Sequence, residues 1–183
     1  MMAEKVLMVI DTQNDFITGS LGNGECQAAV PKIIDLIRNG NYDEVIFTMD
    51  THAENYMDTQ EGKKLPVPHC IEGTEGWKIQ ADIAKAADET FTKEQQTVIK
   101  KPTFGAISLI PKYQQLWEKA QGDLELDFVG FCTGICVLSN VSIAKATLTE
   151  AKVCVIEEAC ACVTPETHKT AIEAMKLVQV DVI

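Results

Sequence analysis

Four kinds of reactive side chain stand at the ends of apolar runs in this chain. "KVLMVI" stops at Asp11, "DEVIFTMD" ends at Asp50 with His52 two residues on, and "QQTVIKK" ends at Lys101. "LELDFVG" leads into "GFCTGICVLSN", which carries Cys136. A carboxylate, an imidazole, an amine and a thiol are the groups from which nucleophilic catalysis is built. Cys136 sits where a turn of small residues opens a helical pattern. A helix N-terminus favours thiolate there, and its free N–H groups can receive an oxyanion. Lys101 can stabilise that thiolate, and Asp11 can take its proton.

A second chemistry lies in "DTH". Residues two apart in extended backbone point the same way, so Asp50 and His52 offer an oxygen and a nitrogen together. His69, in "HCIEGTEGW", can add a second imidazole, and Glu61 a further carboxylate. Such a set suits zinc, iron(II) or manganese. Cys70 beside His69 points away from it if the backbone is extended. His168 falls in a helical pattern and reads as a surface residue.

These residues need elements to hold them. The runs above read as strands, with a fifth in "KVCVIEEAC" and a closing one in "VQVDVI". Helical patterns fall between them: "AAVPKIIDLIRNG", "ISLIPKYQQLWEKAQG", "CVLSNVSIAKATLTEA" and "PETHKTAIEAMKLV". Strands apolar nearly throughout imply helices on both faces. The alternation therefore predicts an α/β three-layer sandwich with a mainly parallel, doubly wound sheet. In such sheets ligands gather at the carboxyl ends of strands, where the reactive residues stand. The stretch from Ala53 to about Ile79 is long for a loop, which favours function.

The chain has 183 residues, 46% of them hydrophobic and 23% charged, a length and composition that fit one domain, residues 1–183. The net charge of -11 argues against nucleic acid and membrane partners. Seven cysteines, several in apolar runs and with no export signal visible before them, read as free thiols in a reducing, cytoplasmic setting.

Taken in order, the blocks resemble the isochorismatase-like cysteine hydrolases, and within them the nicotinamidases. "VIDTQNDFITGSL" resembles the opening strand, which implies a catalytic acid/base at Asp11 and a substrate-pocket aromatic at Phe16. "DTH" and "PHCIEGTEG" resemble the metal segments, implying ligands at Asp50, His52 and His69, with Glu61 at a compatible spacing and zinc as the expected ion. "KKPTFGAI" resembles the lysine block and points to Lys101 rather than Lys100. "GFCTGICV" resembles the nucleophile turn at Cys136. It implies a cis Phe131–Cys132 bond and an oxyanion hole made by the Cys132 and Cys136 N–H groups. The resemblance implies a homo-oligomer acting on a small-molecule amide, most simply nicotinamide.

Pro66 stands where some nicotinamidases have an aromatic, and Gly105 and Ile107 replace a serine and a phenylalanine. Both departures touch the pocket, with Trp77 or Tyr56 as candidate stacking surfaces. Two alternatives keep the triad on another substrate: an isochorismatase-like reaction, or hydrolysis of an N-carbamoyl amide. A third, of a different class, is a non-enzymatic flavodoxin-like thiol module using Cys132 and Cys136.

Overall fold

A computed structural model describes residues 3–183. Six strands, β1 (Glu4–Ile10), β2 (Glu44–Asp50), β3 (Gln96–Lys101), β4 (Leu124–Phe131), β5 (Lys152–Ala161) and β6 (Asp181–Val182), form one sheet in the order β3-β2-β1-β4-β5-β6. Every neighbouring pair is parallel. β1 shows why its sequence is apolar at every step. Val6, Met8 and Ile10 feed the core on one face, while Leu7 and Val9 feed the core on the other. Helices cover both faces of this central strand, so β1 has no position left for a polar alternation. The expected three-layer α/β sandwich is what the chain forms.

Helix α2 (Gly24–Asn39) begins four residues before the predicted start and runs through Pro31. Asn23 caps it by accepting the Cys26 N–H. Buried Cys26, Ala29, Ile33 and Ile37 make the helical stripe that outweighs the proline's missing donor. Helix α5 (Ile110–Lys119) carries Pro111 in its first turn, α6 (Leu138–Thr147) follows the nucleophile turn, and α7 (Pro165–Leu177) is capped by Thr164. Two helices are not announced by the sequence pattern. One is the short α1 (Asn14–Ile17). The other is α4 (Ala81–Thr90), whose buried residues are only Ile83, Ala86 and Ala87, too small a stripe to stand out. The long loop contains one short helix, α3 (Gln60–Lys64), and a single tight turn over Tyr56–Asp58. Among the described residues no helix is long and apolar enough to cross a membrane.

The sheet's order reverses between β1 and β4, which opens a crevice at their carboxyl ends. Register sets the height of each chemical group there. Asp50 pairs with Lys101 across β2 and β3, and Ile10 pairs with Thr48 and Gly130 on its two sides. Gly130 has φ +114, and a Cβ on it would lie 2.1 Å from the Ile10 carbonyl oxygen. Only glycine lets β4 approach β1 this closely before the nucleophile turn.

Candidate active site

Asp11 leaves β1 with φ 48, a left-handed conformation that an L-residue adopts at a cost of about 1–3 kcal/mol. The bend turns its carboxylate under the sheet edge, where Thr48 Oγ1 donates to Oδ1 at 2.7 Å. Lys101 Nζ lies 2.6 Å from Asp11 Oδ2 and 3.5 Å from Cys136 Sγ, and donates to the Thr103 carbonyl at 3.0 Å. The three groups are 0%, 1% and 5% exposed, so water screens none of them. Strand alternation separates the two adjacent lysines. Lys100 is on the exposed side and pairs with Glu72 at 2.6 Å.

Burial raises the Asp11 pKa, and Lys101 pulls against it. Burial works to strip the Lys101 proton, but the charges of Asp11, Cys136 and Asp50 outweigh it and hold the ammonium above its ordinary range. Burial, then the Asp11 charge, pushes the Cys136 thiol well up. Burial here works against the thiolate that a helix N-terminus favours. The dipole of one turn is weak beside the desolvation of a buried sulfur next to a carboxylate. The Cys136 sulfur faces Lys101 Nζ at 3.5 Å, and its burial favours the thiol form.

Cys136 lies in a wide turn, Thr133–Val137, in which the Val137 N–H reaches back to the Cys132 carbonyl at 3.2 Å. Such one-turn widenings concentrate at functional sites. The Phe131–Cys132 bond before it is cis, as the resemblance implies. His168 is not a remote surface residue. The packing of α7 brings its Nδ1 to 2.8 Å from Thr133 Oγ1 in this turn, a meeting of distant segments that periodicity cannot show.

Beside the triad, Asp50 Oδ2 lies 3.1 Å from His52 Nε2 and 3.4 Å from His69 Nε2. Glu61 Oε1 stands 3.7 and 3.9 Å from the same two nitrogens. His69 arrives because the loop returns alongside β2. The His52 N–H donates to the Cys70 carbonyl, and the Glu72 N–H donates to the His52 carbonyl. The loop is held by two side chains that the sequence reading did not single out. Gln13, fully buried, donates to the carbonyls of Asp50 and Trp77 and accepts the Asp50 N–H at 2.7 Å. Asp15 accepts the Cys70 N–H. Cys70 itself has φ 47, so the extended backbone assumed for it is absent; its side chain packs in the core with Leu7 and Val9.

Donor atoms of Asp50, His52 and His69 all lie within 4.8 Å of one another, and all three residues are buried. His69 Nδ1 donates to the Val67 carbonyl at 2.8 Å, which leaves the Nε2 lone pair facing the cluster. These donors fit a divalent ion that accepts nitrogen and oxygen ligands. Burial pushes the Asp50 pKa up, but the two neighbouring histidines and Lys101 outweigh it and hold Asp50 below the usual carboxylate range.

A cavity of about 280 Å³ joins the two chemistries. Asp50, Glu61 and His69 line one part and Cys132 and Cys136 another, with apolar walls from Phe16, Leu21, Leu65, Phe104, Ile135 and Val163. Phe16 was expected here; Phe104, Ile135 and Val163 were not. Neither candidate stacking residue lines it. Tyr56 packs behind the metal-type ligands, 4.7 Å from the His52 ring and 5.0 Å from that of His69. Trp77 donates to Thr51 Oγ1 away from the cavity.

Among curated protein sequences no match is found. Solved structures match closely in fold. The nicotinamidase PncA of Bacillus subtilis is 26% identical over 98% of both chains, with TM-score 0.83. A Pyrococcus horikoshii pyrazinamidase in complex with zinc is 23% identical over 98% of both, with TM-score 0.78. The L. infantum protein PnC1 in complex with nicotinate is 19% identical over 99% of this chain and 92% of its own, with TM-score 0.79. The model of the isochorismatase domain matches residues 5–183. With that match spanning almost the whole sheet and the crevice it carries, the chain belongs to the isochorismatase domain family of hydrolases.

Proposed function

We propose that this hydrolase cleaves the amide of a small aromatic carboxamide, nicotinamide first among them, to the carboxylate and ammonia. The observation that carries this reading is the single cavity shared by Cys136 and the Asp50–His69 donor pair. A ring whose amide faces Cys136 then turns its far edge toward the nitrogen and oxygen donors. That the B. subtilis relative is a nicotinamidase supports the same substrate.

Asp11 accepts the Cys136 proton, and the thiolate attacks the amide carbon. The N–H groups of Cys132 and Cys136 receive the oxyanion; losing one such donor costs about 10²–10³ in rate. Asp11 returns the proton to the departing ammonia as general acid. Asp11 then deprotonates the water that hydrolyses the thioester. Lys101 stays protonated and offsets each negative charge as it forms. Phe16 packs against the ring. Asp50, His52 and His69, with Glu61 beside them, are the residues that would hold a divalent ion. A bound ion of this kind, zinc by the donor chemistry, supplies a Lewis-acidic anchor for the ring nitrogen.

The test is a substrate panel on purified protein together with elemental analysis. Ammonia and nicotinate from nicotinamide, absent in Cys136→Ala, are the expected products. Pyruvate from isochorismate, or ammonia from an N-carbamoyl amide with none from nicotinamide, would transfer the same triad to another substrate.

A further inference from the structure

Three thiols that the hydrolytic chemistry leaves unused meet beside the nucleophile turn. Cys26 stands in the first turn of α2, Cys132 follows β4 and Cys162 follows β5. The register pairs Gly130 with Cys160 and Phe131 with Ala161, so the two strands end level, with Cys132 and Cys162 each one residue beyond the last pair. Parallel neighbours lie about 4.8 Å apart, inside the Cα separation of about 4.4–6.8 Å that a disulfide spans. A side chain at Gly134, in the nucleophile turn, would lie 3.8 Å from Cys162 Sγ. Cys132 packs against the core that contains Cys26. Cys26 and Cys162 are 0% and 3% exposed, whereas Cys132 is partly exposed and lines the catalytic cavity. An oxidant small enough to enter that cavity meets Cys132 first.

We propose that Cys132 is a peroxide-oxidised site and that Cys162 resolves it to a Cys132–Cys162 disulfide. The Cys132 sulfur attacks one oxygen of hydrogen peroxide. The O–O bond breaks, and the departing hydroxide takes the Cys132 thiol proton to leave as water. Cys132 is now a sulfenic acid. The Cys162 sulfur attacks the Cys132 sulfur, the S–O bond breaks, and the hydroxyl leaves with the Cys162 proton as a second water. One peroxide is reduced to two waters, and two thiols are oxidised to one disulfide. The cross-link falls on the cavity wall at the residue whose N–H is assigned to the oxyanion hole. Its effect on turnover therefore rests on the proposed function, whereas the bond itself does not.

The experiment uses the full chain carrying Cys136→Ala, which removes the competing sulfur and alters none of the three. After hydrogen peroxide treatment, free thiols are alkylated and peptides mapped by mass spectrometry. The expected result is a Cys132–Cys162 cross-link that a thiol reductant reverses. Adding Cys162→Ser should abolish the cross-link and leave Cys132 as a sulfenic acid captured by dimedone. Cys132 that stays fully alkylatable after peroxide, or a cross-link to Cys26 instead, overturns the proposal. Because the map reads no turnover, its outcome is separate from that of the nicotinamide assay.

Discussion

The two ends of the parallel strands carry ion pairs of the same kind in opposite surroundings. At the carboxyl ends Lys101 meets Asp11 at 2.6 Å with side chains 1% and 0% exposed. At the amino ends Lys5 and Lys152 flank Glu125 at 3.3 and 3.1 Å, with lysine side chains 36% and 52% exposed. At about 4 Å a unit pair is worth about 1 kcal/mol in bulk water and about 4 kcal/mol at an effective dielectric of 20. The amino-end cluster is therefore a solvated rim. The carboxyl-end cluster keeps charges whose proton affinities lie far from their usual values, and that displacement is what acid–base chemistry requires.

Removing the sulfur at the buried end should have the largest effect. Cys136→Ala should lower turnover by about 10⁶-fold with an unchanged circular dichroism spectrum; appreciable ammonia release by this variant would leave the buried cluster without its chemistry. Lys101→Met sharpens the contrast, because it strands a buried carboxylate. It should cost about 3–5 kcal/mol in denaturant-measured stability as well as activity. His69→Ala should weaken metal retention more than the about 10–100-fold typical of losing an outer partner, read by elemental analysis after dialysis.

The pH profile tests the direction of the shifts. Asp11 must be ionised to take the thiol proton, and its pKa is raised above 3.8. Activity should therefore fall as pH drops through a value above the ordinary aspartate range. Lys101 works on the other limb. Its folded pKa lies above the unfolded 10.5, so its contribution to stability is complete below 10.5 and disappears as pH rises through the folded value. A stability curve flat to strongly alkaline pH, lost in Lys101→Met, is the expected result. At the exposed end Lys152→Ala should change stability by no more than about 1 kcal/mol. A loss as large as that of Lys101→Met would erase the distinction between the two ends.

Much of the buried end is visible in the chain because strand termini are local features. Asp11, Asp50, His52 and Lys101 each close or follow an apolar run, and parallel register brings such ends level. His69 and Glu61 sit in a loop without periodicity, and only the hydrogen bonds between Cys70, Glu72 and His52 bring that loop to β2. Gln13 looks like an ordinary polar residue in "DTQND", yet it is fully buried and clamps β2 to the loop. His168 was read as surface because its helix shows no link to the turn it contacts.

From the sequence alone follow the α/β sandwich, its nearly uninterrupted apolar strands and the identity of the groups at their carboxyl ends. These depend on the spacing of residues within single segments. Tertiary structure alone decided the cavity wall of Phe104, Ile135 and Val163, the contact of His168 with the nucleophile turn, and the burial of the Cys136 sulfur. Each of these depends on how distant segments exclude water from one another, and desolvation belongs to the packed whole rather than to any stretch of chain.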